Sequence, residues 1–281
     1  MSSQNISLPN FDLRGKWALI TGGAGLLGKE HALALLEVGA NIVLWDINKE
    51  NLTSVTNNLT RDFSEKSIIM SVVDISKENE VFDAYKKLDL QGITISILIN
   101  NAAINPKYSI ENNEKVFSRV ENLSLDDWNY QVSVGLTGAF ICSKYFGTKM
   151  AANNSGVILN ISSDLSVIAP DQRLYKLSGV MDNSQPVKPI TYSVIKSGLV
   201  GMTKYLATYW SANGVRVNAL SPGGIYEDQN DDFVKKISDL IPLGRMAKSN
   251  EYRSAVQFLC SDASSYMTGQ NIVIDGGRSV W

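Results

Sequence analysis

Residues Thr21–Gly28, with the sequence TGGAGLLG, decide the fold of this 281-residue chain. A short apolar run ends at this stretch, and a segment with helical spacing begins within it. Gly23–Gly28 satisfies the pattern G-x-G-x-x-G, whose glycines permit a tight turn and a close approach of the backbone to a pyrophosphate. The phosphate charge then lies at a helix N-terminus, where backbone N–H groups point towards it. The stretch therefore predicts a dinucleotide site, built by Gly22, Gly25, Leu26, Leu27 and Gly28.

An acidic residue supports this interpretation. Asp46 stands at the end of the second predicted strand, 18 residues after Gly28. A carboxylate at this place accepts hydrogen bonds from the adenosine ribose hydroxyls and repels a 2′-phosphate. No Arg or Lys occupies the glycine turn, and Ile47 rather than a basic residue follows Asp46. We therefore expect NAD rather than NADP. The alternative is that Asp46 caps the helix beginning near Asn48.

Short apolar runs alternate with longer segments of helical spacing along the whole chain. Strands that are apolar throughout are expected where helices cover both faces of a parallel sheet. The alternation therefore predicts an α/β fold, a doubly wound seven-stranded parallel sheet flanked by helices, in a single domain over residues 1–281. The predicted strands are Lys16–Ile20, Ile42–Trp45, Ile68–Val73, Ile95–Asn100, Gly156–Ile161, Val215–Ala219 and Ile272–Ile274. The predicted helices include Leu26–Val38, Leu125–Ala152 and Tyr192–Ser211.

Three segments interrupt the alternation, and each directly follows a strand end. They are Ile104–Asn122, Asp164–Ile190 and Ile225–Gly244. In an open α/β sheet the ligand crevice lies outside the carboxyl ends of the strands, and long loops there usually carry function. We expect residues 164–190 and 225–244 to be loops on the substrate side, and residues 1–12 to be an N-terminal extension.

The composition excludes several classes of function. The formal charge is −2 and no long basic run occurs, so nucleic acid is not expected as a partner. No stretch approaches the roughly 20 apolar residues that span a bilayer, and residues 1–16 lack the pattern of a secretory signal. Cys142 and Cys260 lie in apolar helical surroundings, which predicts buried thiols in a reducing compartment. We expect a cytoplasmic protein without a membrane partner, and no metal, because His31 is the only histidine and has no ligand cluster around it.

Tyr192 and Lys196 are the candidate catalytic pair. A separation of four residues places both side chains on one helix face. An unperturbed phenol has a pKa of about 10, and a neighbouring ammonium favours the phenolate, which can exchange a proton with a substrate hydroxyl or carbonyl. Ser163 follows the fifth predicted strand, and its hydroxyl can polarise a carbonyl there. The alternative for Ser163 is a capping or turn hydroxyl.

These motifs, taken together, resemble those of the short-chain dehydrogenase/reductase superfamily from about Leu13 to Gly277. The resemblance implies a Rossmann fold and assigns further cofactor contacts. Asp74 and Ile75 would contact the adenine. Asn101, Ala102 and Ala103 belong to a motif similar to the Asn-Asn-Ala-Gly of the family. Pro222 and Gly223 would border the nicotinamide, Ile225 would offer its backbone to the carboxamide, and Tyr192 and Lys196 would also touch the cofactor.

Two departures from the single-domain pattern point towards sugars. The glycine turn is similar to the T-G-x-x-G-x-x-G of the branch that acts on nucleotide-activated sugars, although the chain is too short for the C-terminal domain of that branch. Ser163 and Tyr192 are 29 positions apart, a longer gap than single-domain relatives have. The inserted segment resembles that branch as well. By this resemblance the chain is similar to oxidoreductases of bacterial surface-sugar and flagellin-modification pathways, and a sugar or sugar derivative is the expected substrate.

A third departure concerns the helix after the fourth strand. Relatives commonly carry an asparagine in a Trp-x6-Asn pattern, which assists a water-linked proton relay from the lysine. Counting from Trp128, this position holds Gly135. Either a water substitutes, or the relay is rerouted, or Gly135 serves close helix packing together with Gly138.

The leading hypothesis is an NAD-dependent oxidoreductase that interconverts a secondary alcohol and a ketone on a small polar substrate. Two alternatives stay open. The first is an NAD-retaining epimerase or dehydratase, and the second is a dinucleotide-sensing protein without catalysis. Homodimers or homotetramers are expected from the resemblance.

Overall fold

The computed structural model describes residues 9–104 and 118–281. Residues 1–8 of the predicted N-terminal extension lie outside the described residues, as do residues 105–117 of the predicted segment Ile104–Asn122. A 3₁₀ turn, Pro9–Phe11, leads into the first strand.

The described residues form a seven-stranded sheet in the order β3-β2-β1-β4-β5-β6-β7. Every neighbouring pair of strands is parallel. The predicted doubly wound sheet is thereby confirmed, with strand ends that differ from the prediction by up to three residues. The strands are β1 (Trp17–Thr21), β2 (Asn41–Asp46), β3 (Ile68–Val72), β4 (Ile95–Asn100), β5 (Gly156–Ile161), β6 (Val215–Pro222) and β7 (Asn271–Ile274).

Both faces of the sheet are covered by helices, which explains why the central strands are apolar throughout. Successive side chains of a strand point to opposite faces. Ile20 of β1 packs into the core on one face, and its neighbour Leu19 packs into the core on the other. The first core also contains Leu35 and Leu259 from helices, and the second contains Phe146.

The helices are α1 (Leu26–Glu37), α2 (Lys49–Asp62), α3 (Glu78–Leu90), α4 (Leu125–Val132), α5 (Gly138–Cys142), α6 (Thr148–Ala152), α7 (Ile190–Tyr209), α8 (Asp231–Ser238) and α9 (Arg253–Cys260). The predicted helix Leu125–Ala152 is continuous, but π-helical turns at Ser133–Thr137 and Ser143–Gly147 join its three α-helical parts. Such turns are rare and occur frequently at functional sites. Ser124 caps the start of this helix by accepting a hydrogen bond from the N–H of Asp127.

The two segments predicted as substrate-side loops differ in structure. Residues 164–189 contain only short 3₁₀ turns, at Asp164–Ser166, Gln172–Tyr175 and Asp182–Ser184, and Ile190 begins α7. Residues 225–244 are not a loop throughout, because α8 lies within them. Asn230 caps α8, acidic residues occupy its first turn and lysines its last, so its charges complement the helix dipole.

Two further predictions concern the whole chain. No helix among the described residues is long and apolar enough to cross a membrane. Both cysteines are free and buried, as predicted from their apolar surroundings.

Candidate active site

The glycine turn joins the end of β1 to α1, and two of its glycines are required by contacts. Gly22 has a φ of +64°, and a Cβ on it would lie 2.8 Å from Cα of Ala102. A Cβ on Gly28 would lie 2.2 Å from the carbonyl oxygen of Gly22. Side chains at these positions would therefore push α1 away from the turn or strain the backbone.

The start of α1 is suited to an anionic group. Gly25 is the N-cap and has no side chain to bind the first amides of the helix. The N–H groups of Leu26, Leu27 and Gly28 have no partner within a helix, because the first turn lacks preceding carbonyls. No acidic residue stands in this first turn. The residues present therefore fit the pyrophosphate of a dinucleotide.

Asp46 lies at the carboxyl end of β2, beside the glycine turn. Its Oδ2 accepts a hydrogen bond from the N–H of Ala24 at 3.0 Å, and its Oδ1 accepts one from the N–H of Asn48 at 2.9 Å. The cap of α2 is Asn48, whose side chain accepts from the N–H of Asn51. The carboxylate thus links the glycine turn to the residue before α2, and Asn48 rather than Asp46 caps that helix.

The other predicted cofactor positions lie at the carboxyl ends of β3, β4 and β6, or directly after them. Asn101 donates from Nδ2 to the carbonyl oxygens of Thr21 and Gly22, at 3.0 and 3.1 Å, so it ties the end of β4 to the glycine turn. Asp74 accepts from the hydroxyl of Ser76 at 2.6 Å. The remaining positions are Ile75, Ala102, Ala103, Pro222, Gly223 and Ile225, of which Ile75 and Pro222 are buried.

The predicted catalytic residues come together where β5 ends and α7 begins. Lys196 donates from Nζ to the carbonyl oxygen of Ile161 at 2.8 Å, and its ammonium lies 5.6 Å from the ring centroid of Tyr192. Ser162 donates from its hydroxyl to the carbonyl oxygen of Lys196 at 2.7 Å. These bonds fix α7 on the end of β5 and hold the lysine below the tyrosine.

Burial sets the protonation of this pair. It raises the pKa of the Tyr192 phenol, whereas the sequence predicted a lowering by the neighbouring ammonium. A hydrogen bond with Ser163 opposes the rise, and the charge of Asp164 adds to it. Burial also lowers the pKa of Lys196 to about 8, and the positive charge of Lys188 contributes to the shift. Near neutral pH the lysine is therefore mostly an ammonium, but it exchanges its proton more readily than an exposed lysine does.

Ser163 caps a turn and also lies beside Tyr192. Its Oγ accepts a hydrogen bond from the N–H of Leu165 at 3.2 Å and so caps a 3₁₀ turn. Its hydroxyl donates to Oδ1 of Asp164 at 2.8 Å, and Ser163 is near enough to Tyr192 to influence the pKa of the phenol. The capping role and the position beside the tyrosine coexist.

Three residues near Tyr192 were not predicted as site residues. Asp164 is 3% exposed and Arg278 is 8% exposed, and Nη1 of Arg278 lies 2.8 Å from Oδ2 of Asp164. Lys188 places its ammonium 3.8 Å from the Tyr192 ring centroid. Asp164 and Lys188 stand among the charged residues of the inserted segment. Arg278 lies far along the chain, and no spacing in the sequence connects it with Asp164.

Gly135 is buried within the first π-helical turn, against α7. A Cβ on this residue would lie 2.7 Å from Cγ2 of Ile195, and a Cβ on Gly138 would lie 2.7 Å from Cδ1 of Ile75. An asparagine at position 135 would therefore collide with the helix that carries Tyr192. Both glycines serve close packing, which was one of the alternatives considered for Gly135.

A parallel α/β sheet with a glycine turn and a Ser–Tyr–Lys group at its carboxyl edge defines a nicotinamide-dependent oxidoreductase. Comparison with known proteins supports this class. A family model described as enoyl-(acyl carrier protein) reductase matches residues 23–279. The chain belongs to the short-chain dehydrogenase/reductase superfamily, and it acts as an NAD(P)-dependent oxidoreductase on CH–OH groups.

Three relatives illustrate the family. D-threitol dehydrogenase of Mycolicibacterium smegmatis is 30% identical over 280 residues, which cover 96% of this chain and 95% of that protein. A short-chain dehydrogenase from Leptospira borgpetersenii, solved with bound NAD⁺, is 32% identical with a TM-score of 0.82 and 99% coverage of both chains. A gluconate 5-dehydrogenase from Burkholderia cenocepacia, solved with NADP and tartrate, is 27% identical with a TM-score of 0.82, covering 97% of this chain and 98% of that one.

Proposed function

We propose that this protein is an NAD-dependent dehydrogenase that interconverts a secondary alcohol and a ketone on a sugar, a polyol or a derivative of one. The observation that carries the proposal is the group formed by Ser163, Tyr192 and Lys196. Lys196 is bonded to the carbonyl oxygen of Ile161 beneath the tyrosine, and Ser163 lies near enough to the tyrosine to influence the pKa of its phenol. The group lies at the same edge of the sheet as the glycine turn.

The proposed chemistry divides the work between the cofactor and the chain. A bound nicotinamide would supply the acceptor for the hydride of the alcohol carbon. Tyr192 takes the hydroxyl proton of the substrate, Ser163 orients the substrate oxygen, and Lys196 stabilises the phenolate and contacts the nicotinamide ribose. In the direction of reduction, Tyr192 returns the proton to the carbonyl oxygen.

The preference for NAD is proposed from the surroundings of Asp46. Its carboxylate accepts from the N–H of Ala24 in the glycine turn, and a negative charge beside this turn supports binding of an unphosphorylated adenosine ribose. Ile47, which is 63% exposed, stands where a cation would be needed for a 2′-phosphate. Solved relatives bind either cofactor, and one of them contains NAD⁺ and another NADP.

The substrate class is proposed from two features. D-threitol and gluconate, named for two of the relatives, are polyhydroxylated alcohols. The inserted segment of this chain brings charged residues, Asp164 and Lys188, to the side of Tyr192. A link to surface-sugar pathways is a prediction from the glycine turn and the insert.

The test is a substrate screen that follows nicotinamide absorbance. Neutral polyols, aldonates, sugar phosphates, nucleotide sugars and simple alcohols are each incubated with NAD and with NADP. We expect turnover of a polyol or sugar derivative, faster with NAD. Cofactor that stays bound without net turnover would favour the epimerase or dehydratase, and cofactor binding without any reaction would favour the sensor.

We also propose that the chain forms homodimers or homotetramers. Tyr205 and Tyr209 of α7 are stacked on each other yet 65% and 63% exposed, and Phe140 of α5 is 52% exposed. Large apolar groups on neighbouring helices are common where subunits associate. Light scattering after size-exclusion chromatography gives the mass directly, and a monomer at micromolar concentration would contradict the proposal.

A further inference from the structure

Arg278 is held in place shortly after β7. The carboxylate of Asp275 accepts a hydrogen bond from the N–H of Gly277 at 2.9 Å and another from the N–H of Ser279 at 2.7 Å. Gly277 has a φ of +90°, and a Cβ on it would lie 2.9 Å from Cγ of Pro242. The backbone is therefore fixed on both sides of Arg278, which is 8% exposed.

The guanidinium of Arg278 meets a carboxylate that is itself buried. Nη1 of Arg278 donates to Oδ2 of Asp164 at 2.8 Å, and Asp164 is 3% exposed. Oδ1 of the same carboxylate accepts from the hydroxyl of Ser163 at 2.8 Å and from the N–H of Leu165 at 2.9 Å. A continuous chain of hydrogen bonds thus runs from Arg278 through Asp164 to the oxygen of Ser163.

The other side of Ser163 is fixed against α7. The two residues before it both bind Lys196, since the carbonyl oxygen of Ile161 accepts from Nζ and the hydroxyl of Ser162 donates to the carbonyl oxygen. Lys196 stands one helical turn after Tyr192. The end of β5 therefore brings Ser163 beside the phenol, and the contact with Asp164 decides where its hydroxyl points.

The charge of Arg278 suits a hydroxyl that must be held and then released. Hydrogen bonds to an ionised carboxylate are roughly twice as strong as bonds between neutral groups. A lone buried carboxylate would therefore compete strongly with a substrate oxygen for the hydroxyl of Ser163. Arg278 offsets the negative charge of Asp164 and so weakens this competition, while it keeps the carboxylate in place.

We propose that Arg278 is a positioning residue of the active site, which acts through Asp164 to place the hydroxyl of Ser163 for the substrate oxygen. The inference rests on the proposed dehydrogenase function and adds to it a residue that acts without touching the reacting atoms. A misplacement of about 1 Å in an active site can cost about 100-fold in rate. The buried ion pair therefore has a kinetic effect beyond its effect on stability.

The test is a double-mutant cycle of kcat between Arg278 and Ser163, with NAD and the best substrate of the screen. The variants are Arg278→Met, Ser163→Ala and the two combined, with Arg278→Lys as the charge-conserving change. Arg173→Met is the matched control, because Arg173 also pairs with an aspartate of the inserted segment but is 82% exposed.

Circular dichroism establishes that each variant is folded under the assay conditions. If Arg278→Met does not fold, Asp164→Leu/Arg278→Met takes its place in the cycle. Apolar side chains of similar volume often replace a buried ion pair without loss of stability, because no charge is left unpaired.

We expect Arg278→Met to lower kcat by about 10- to 100-fold with little change in the KM for NAD. Arg278→Lys should lower kcat less, and Arg173→Met should leave it unchanged. In the Ser163→Ala background, Arg278→Met should lower kcat by less than about 2-fold further, because the hydroxyl on which it acts is gone. Losses that multiply in the combined variant, or a folded Arg278→Met variant with full kcat, would overturn the inference.

A wild type that turns over no substrate would contradict the dehydrogenase proposal, and the place of Ser163 then decides the inference separately. Crystal structures of the wild type and of the folded variant without Arg278 give the position of Oγ of Ser163 relative to the Tyr192 phenol. A displacement of Oγ by about 1 Å or more supports the positioning role. An Oγ that keeps its place would overturn it.

Discussion

Arg278 and Asp164 are separated by 114 positions in the sequence, yet Nη1 of the arginine lies 2.8 Å from Oδ2 of the aspartate. Both side chains are nearly inaccessible to solvent, at 8% and 4% exposure. The other oxygen of Asp164 accepts the hydroxyl of Ser163. A residue beyond the last strand therefore holds the loop that carries the candidate catalytic serine.

The first prediction is that Arg278→Met destabilises the protein strongly. The substitution leaves the buried Asp164 without its cation, which costs about 3–5 kcal/mol of unfolding free energy. The matched control is Arg173→Met, which breaks a pair with Asp171 in which the arginine is 82% exposed. That exposed pair contributes less than about 1 kcal/mol. Urea denaturation measures the unfolding free energy of both variants. Equal losses of unfolding free energy would contradict the role assigned to Arg278.

The second prediction concerns Gly135. Gly135→Asn should destabilise the chain by about 1–3 kcal/mol, because the new side chain overpacks the contact with Ile195. The double variant Gly135→Asn/Ile195→Ala removes the opposing side chain. It should therefore lose less unfolding free energy than the sum of the losses in the two single variants. A double-mutant cycle of unfolding free energies gives this coupling, and purely additive effects would argue against a clash.

The third prediction concerns the thiols. Burial raises the pKa of Cys142 and of Cys260 to about 12. At pH 8 neither thiol should react with a disulfide reagent in the native protein, whereas both should react in denaturant. Unfolded thiols ionise near pH 8.5, so the stabilisation by the neutral native thiols is complete below that pH. It is then lost as the pH rises towards 12. Rapid labelling of the native protein at pH 8 would contradict their burial.

The fourth prediction concerns cofactor choice. Asp46→Asn keeps an acceptor for the N–H of Ala24 but removes the charge that repels a 2′-phosphate. Combined with Ile47→Arg, whose position is exposed, it should raise the ratio of kcat/KM for NADP to that for NAD by about 10- to 100-fold. The control is Ile47→Met, which adds no charge. An unchanged ratio in the double variant would mean that Asp46 does not determine the preference between NAD and NADP.

Much of the fold could be predicted from the sequence because its signals are local. The apolar strands and the glycine turn predicted the parallel sheet. The four-residue spacing of Tyr192 and Lys196 predicted that both side chains lie on one helix face. The structure brings Ser163 to them because β5 lies next to β6 and beneath α7. Helix α8 was not predicted, because residues 225–244 were expected to be a substrate-side loop.

The contacts of the insert could not be predicted, because they depend on tertiary packing. Nothing in the local pattern shows that Arg278 forms an ion pair with Asp164. Likewise, the sequence shows that Gly135 replaces the asparagine of the family pattern. The physical reason, the close approach of Ile195 from another helix, is seen only in the structure.

The central claim is that Tyr192 transfers the proton in a nicotinamide-dependent reaction. The most direct measurement is the initial rate of NADH formation with the best substrate of the screen, in the wild type, in Tyr192→Phe and in Tyr205→Phe. Tyr205 is the control because it lies on the same helix and is 65% exposed. We predict that Tyr192→Phe lowers kcat by about 10²- to 10⁴-fold while Tyr205→Phe retains activity. A Tyr192→Phe variant that keeps nearly the full rate would contradict the account.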